Sequence, residues 1–168
     1  MSGLLVAAAL AFGAGAALEV TPARTEAAGY AITHSLVVRN LAKNCAKFKG
    51  KLQRDPDAAL DAWRRKNAEH VLAAESYLVA ARIAVEKKHG AQAGEDFHAQ
   101  THGLFVEQAN RTLNDIFGAA GPQPGVCERW IESVAGGQAD LNWQPKYMPI
   151  LDELREFERA LRPGATGR

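Results

Sequence analysis

Apolar side chains recur every third or fourth position along most of this chain, the spacing that lines one face of an α-helix. Starting from Ala31, the positions His34, Val38, Leu41, Cys45, Phe48 and Leu52 form one stripe, interrupted only by His34. The pattern predicts a first helix from Thr21-Pro22 or Thr25 to about Lys49, ahead of Gly50. A second helix starts at Asp55-Pro56-Asp57, where an Asp side chain caps free N–H groups and a Pro suits the first turn. Its stripe runs through Leu60, Trp63, Asn67, Val71, Ala74, Leu78, Ala81 and Val85. It closes at Lys87-Lys88-His89-Gly90, cations against the negative end of the helix dipole and then a glycine.

The third helix is expected over about Glu95 to Phe117, with Glu95 and Asp96 in its first turn and an inward stripe of His98, His102, Phe105, Ala109, Leu113 and Ile116. The run from Gly118 to Gly125 is the strongest break in the chain. A short helix over Val126 to Ala135 follows, carrying Cys127, Trp130, Ile131 and Val134, and Gly136-Gly137 ends it. Leu141 to Pro149 reads as an irregular connector, and the last helix covers about Pro149 to Arg162, with Leu151, Leu154, Phe157 and Leu161 inward. Period-two alternation is missing, so no strand is expected. The fold expectation is all-α: an antiparallel up-down bundle of four main helices plus a short extra helix, braced by one disulfide.

The stretch from Leu4 to Leu18 is uncharged and apolar, yet shorter than the roughly 20 residues that cross a bilayer. With small residues at Ala14, Gly15, Ala16 and Ala17 it reads as a secretory signal, although its front end lacks Lys and Arg. Residues 1–17 are therefore expected to be removed, residues 18–162 to form one domain and residues 163–168 a tail. The expected location is periplasmic or secreted, with no membrane insertion of the mature chain. Export bears on the two cysteines, Cys45 and Cys127, which are far apart and form no CxxC pair. In an oxidising compartment they are expected to form one structural disulfide. In an antiparallel arrangement the end of the first helix and the start of the fourth lie on the same side, so the two readings support each other.

Charge narrows the partners. Twenty Lys+Arg against nineteen Asp+Glu give a formal net charge of +1. Such a balance argues against general nucleic-acid binding, which draws on an excess of cations. Catalytic signatures are missing from the sequence: no GxSxG, GxxxxGK[ST], GxGxxG or HExxH occurs. The carboxylate pairs Asp152-Glu153 and Glu156-Glu158 fall on the solvent side of the last helix as predicted, beside Arg155 and Arg159.

Histidines supply the one constellation with chemical content. His98 and His102 are four apart on the third helix, a spacing that aims two imidazoles at one metal ion, and Glu95 lies three residues earlier on the same face. A three-imidazole cluster of His34, His70 and His102 is also compatible with their depths along the helices. No metal is assigned and no cofactor is expected. Asn67 is a polar position on a core stripe, suited to fixing register through an internal hydrogen bond. Trp143, Tyr147 and Met148 sit in the Pro-bounded connector, as a binding hot spot or as a lid folded onto the bundle. The expected function is therefore a non-catalytic exported bundle that binds a protein partner. The alternative is a periplasmic metal-binding or metal-sensing protein using His98, His102 and Glu95.

Overall fold

The computed structural model describes residues 19–161. The expected signal segment and the tail from 163 lie outside them. Five helices build the fold, and no strand occurs among the described residues. The helices are α1 (Pro22–Cys45), α2 (Pro56–His89), α3 (Ala91–Phe117), α4 (Pro124–Ala135) and α5 (Met148–Ala160). A 3-10 turn over Ala46–Lys51 follows α1, and two more, Leu141–Trp143 and Pro145–Tyr147, precede α5. No described helix is long and apolar enough to cross a membrane.

Helix ends follow local chemistry. Thr21 caps α1 by accepting from Arg24 N, and Asp55 caps α2 by accepting from Asp57 N at 2.9 Å. The third helix begins earlier than the sequence pattern places it, at Ala91 and not at Glu95. Gly90 alone makes the reversal, at φ 94°, a conformation other residues avoid, so Glu95 and Asp96 fall in the second turn.

Three long helices form the frame, and α3 packs on α1 and α2. The two short helices α4 and α5 pack on the same α1–α2 pair, and together they stand where a fourth long helix would be. Alanines make close approach possible: Ala27, Ala28 and Ala31 of α1 and Ala73, Ala74 and Ala81 of α2 are fully buried beside Tyr77. At the base of α1, Tyr77 Oη donates to Thr21 O at 3.4 Å and stands 2.9 Å from Thr25 Oγ1. Beyond that point α2 continues from Leu78 to His89, about 18 Å of helix paired with α3.

The expected disulfide is present. Cys45 and Cys127 are bonded, both fully buried, with Cα atoms 5.5 Å apart and 82 positions separating them in sequence. A cross-link closing a loop of that size contributes roughly 4 to 5 kcal/mol through the entropy of the unfolded chain.

The last helix packs on α2, and Asp152, Arg155 and Arg159 all reach one turn of it, at His70 and Glu69. Of the four carboxylates expected on the solvent side, Asp152, Glu153 and Glu156 do remain solvent-accessible while paired, and only Glu158 departs from that reading. Asp152 Oδ1 lies 3.0 Å from His70 Nε2, Glu153 pairs with Arg24 of α1, and Glu158 is buried on the inner face. Leu151 and Leu154 are fully buried as expected, whereas Leu161, just past the end of α5, is exposed.

Candidate functional site

Residues 139–141, which lead from α4 into the 3-10 turn at Leu141, are tethered by side chains from two helices. The Ala139 carbonyl accepts two bonds, from His34 Nε2–H of α1 and from the Trp63 indole N–H of α2, each at 2.6 Å. Asp140 takes Lys66 Nζ and Asn67 Nδ2, both at 3.2 Å. Leu141 donates its backbone N–H to Asn67 Oδ1 at 3.0 Å and accepts the Tyr30 hydroxyl at 3.0 Å. Five side chains from two helices thus hold three consecutive residues.

Asn67 is the hinge of this arrangement. Its amide also donates to Trp63 O at 2.8 Å, so both N–H groups and the oxygen are engaged at a buried position. This is the internal hydrogen-bonding role its place on the α2 stripe suggested. His34 carries its proton on Nε2 in this geometry, and burial holds its imidazole below the usual histidine range. Burial pushes the Tyr30 phenol up to about 12.

The connector residues singled out in sequence separate into two kinds. Tyr147 folds inward: its ring stacks on Tyr30 with centroids 4.6 Å apart, and its hydroxyl donates to Glu26 Oε1 at 2.7 Å. That bond, together with Lys146, keeps the Glu26 carboxyl below its ordinary range. Met148 is half-buried against the core. Trp143 points outward and is 62% exposed, two residues after the tethered Leu141 and in the same 3-10 turn. Part of the connector is a lid and part is surface.

The histidine candidates disperse. His98 and His102 do share one face of α3, with ring centroids 6.1 Å apart, but both are exposed where the stripe placed them inward. Glu95 does not join them: its carboxylate is 2.9 Å from Arg82 of α2. The three-imidazole cluster is not formed, because His34 bonds Ala139, His70 meets Asp152 and Arg155, and His102 stays beside His98. Among the described residues, no group of three His, Cys, Asp or Glu side chains converges on one point.

Poor burial of α3 creates two grooves. Only Gly94, Ala109 and Leu113 of its residues are buried. One groove, of about 560 Å³, runs between α1 and α3 past Tyr30, His34, Leu104, Phe105 and Tyr147. The other, of about 260 Å³, lies on the far side of Phe105, with Ile32, Leu78 and Phe97 inside and His98 and His102 at its rim. Sequence periodicity does not reveal the tether, because its acceptors and donors on residues 139–141 are largely backbone atoms. The only hints were the polar Asn67 and His34 on apolar stripes.

Comparison with protein-family models, with curated proteins and with solved structures finds no match for this chain.

Proposed function

We propose that this chain is an exported, non-catalytic helical bundle that binds another protein through the connector before α5, with Trp143 as the anchor. The observation that carries the reading is an exposed tryptophan on an immobilised backbone. Trp143 is 62% exposed, while residues 139–141, ending two positions before it, are held by Tyr30, His34, Trp63, Lys66 and Asn67. Large aromatic side chains dominate the energy of protein interfaces. A backbone fixed in advance leaves little ordering entropy to lose on binding, which favours affinity. Export is supported by the apolar Leu4–Leu18 run and by the buried Cys45–Cys127 disulfide, a bond typical of oxidising compartments.

Two measurements test it. A photo-reactive amino acid at position 143, expressed in the native host, is expected to give a discrete protein adduct that the same group at exposed Lys87 does not give. No adduct, or one common pattern at both positions, overturns the binding reading. Mass spectrometry of the protein from its host is expected to find a mature chain starting after Ala16 or Ala17, and a chain retaining Met1 overturns export.

A further inference from the structure

Charge on this molecule is strongly segregated. Between Ala27 and Arg54 the chain holds six cations, Arg39, Lys43, Lys47, Lys49, Lys51 and Arg54, and not one Asp or Glu. Asp55 and Asp57 follow at once, and both pair with Lys49, at 2.7 and 3.3 Å. Residues 39–57 therefore carry a net +4 in a chain whose total is +1, which leaves −3 for everything else.

The fold gathers these cations at one end. Arg39 and Lys43 are four apart on α1 and Lys47 follows at the same spacing on the 3-10 turn, all three exposed. Lys49 and Lys51 stand on the same 3-10 turn, and Arg54 on the loop into α2. Three acids approach this end: Asp55 and Asp57 pair with Lys49, and Glu128 of α4 accepts the backbone N–H of Gln53 at 2.6 Å, so six cations against three carboxylates leave the end net positive. Half-buried Phe48 and Leu52 alternate with the lysines in Lys47-Phe48-Lys49-Gly50-Lys51-Leu52.

We propose that this cationic end docks the protein on an anionic phospholipid surface. Four of the six cations are lysines, point charges that attract phosphate without the planar, bidentate geometry by which arginine reads a particular partner. Cations delivered by the last turns, the capping turn and the next loop of one bundle end suit a flat charged plane better than a groove. Phe48 and Leu52 pack against the core and anchor the turn that carries the lysines, so the contact rests on charge. A juxtaposed cluster of four or more Lys and Arg is the usual size of such a footprint, each contributing about a five-fold increase in partitioning. The contact is peripheral and is separate from the connector that carries Trp143.

Co-sedimentation of the oxidised mature protein with vesicles decides it. One vesicle is pure phosphatidylcholine, and the other has a third of it replaced by phosphatidylglycerol. Binding is expected on the anionic vesicles only, weakening as salt rises. The triple variant Lys43→Gln, Lys47→Gln, Lys51→Gln is expected to lose it roughly a hundredfold while keeping the wild-type helical circular dichroism. No binding to anionic vesicles, or binding that the triple variant retains, overturns the proposal. Tighter binding to a short DNA duplex than to the vesicles at the same salt also overturns it, in favour of a nucleic-acid surface. The Trp143→Ala variant is expected to bind vesicles as the wild type does. Loss of binding in that variant places the lipid contact on the connector and overturns the cationic end.

Discussion

Gly29 of α1 and Phe105 of α3 are fitted so closely that a Cβ on the glycine would stand 2.5 Å from Phe105 Cε1. The missing side chain is what lets the aromatic ring separate the two grooves beside α3. An alanine in mid-helix is normally favoured over glycine by about 1 kcal/mol. At this position the order reverses. Gly29→Ala is expected to destabilise the protein by about 1 to 3 kcal/mol in urea titration, because the ring has to move off its seat. A stabilised variant would show that α3 yields freely.

Asn67 is the position where a single deletion breaks most. Asn67→Ala strands the Leu141 N–H and removes a partner from Asp140, both buried. A cost of about 2 to 3 kcal/mol is expected from unsatisfied buried groups. Amide exchange should rise most at Leu141 and the turns after it. An even rise over all helices would contradict the tethering role.

Acid and alkali act on the same tether from opposite sides. His34 is held below its ordinary value of 6.5, so the unfolded chain binds that proton more readily than the folded one. Its contribution to stability is complete above 6.5 and is lost as pH falls below that value. Tyr30, raised from 10.0 to about 12, keeps its proton more firmly when folded, so its contribution is complete below 10.0 and is lost as pH rises toward 12. Urea titrations across these ranges should show both slopes. Tyr30→Phe should flatten the alkaline one, and His34→Gln the acid one.

Trp130 offers a test in the other direction. Its indole nitrogen is buried without a hydrogen-bond partner, an arrangement that costs about 1 to 3 kcal/mol. Trp130→Phe removes that donor and leaves most of the apolar ring. Thermal melting is expected at or above the wild-type temperature, whereas a clear drop would reveal that packing of the full indole outweighs the stranded N–H.

Much of this architecture was legible in the sequence because helices announce themselves through periodicity. The stripes gave α1 and α2 to within a few residues at most ends, and Cys45 and Cys127 fell on the ends that an antiparallel arrangement brings together. The limits of reading were set by distant partners. Nothing in Glu95-Asp-Phe-His98 says that Arg82, on the neighbouring helix, takes the carboxylate away from the imidazole. Likewise, the acidic run on α5 is solvent-accessible as its pattern says, but nothing in it announces that Arg24 and His70 stand opposite. Periodicity also placed His98 and His102 on the inward face of α3, and it fails there because α3 meets its neighbours through Gly94, Phe97, Phe105, Ala109 and Leu113, which leaves the two imidazoles at the rim of a groove.

The Cys45–Cys127 bond also sets how the molecule bears tension. A pull applied through the two ends of the described chain enters α1, crosses the sulfur bridge and leaves through α4, the connector and α5. The 82-position span between the cysteines, with all of α2 and α3, is bypassed. However far the ends are drawn apart, those two helices contribute no length to the extension while the bridge is oxidised. They peel from the frame only when their packing against it is lost, so the protein stretches as a short tether with a protected loop.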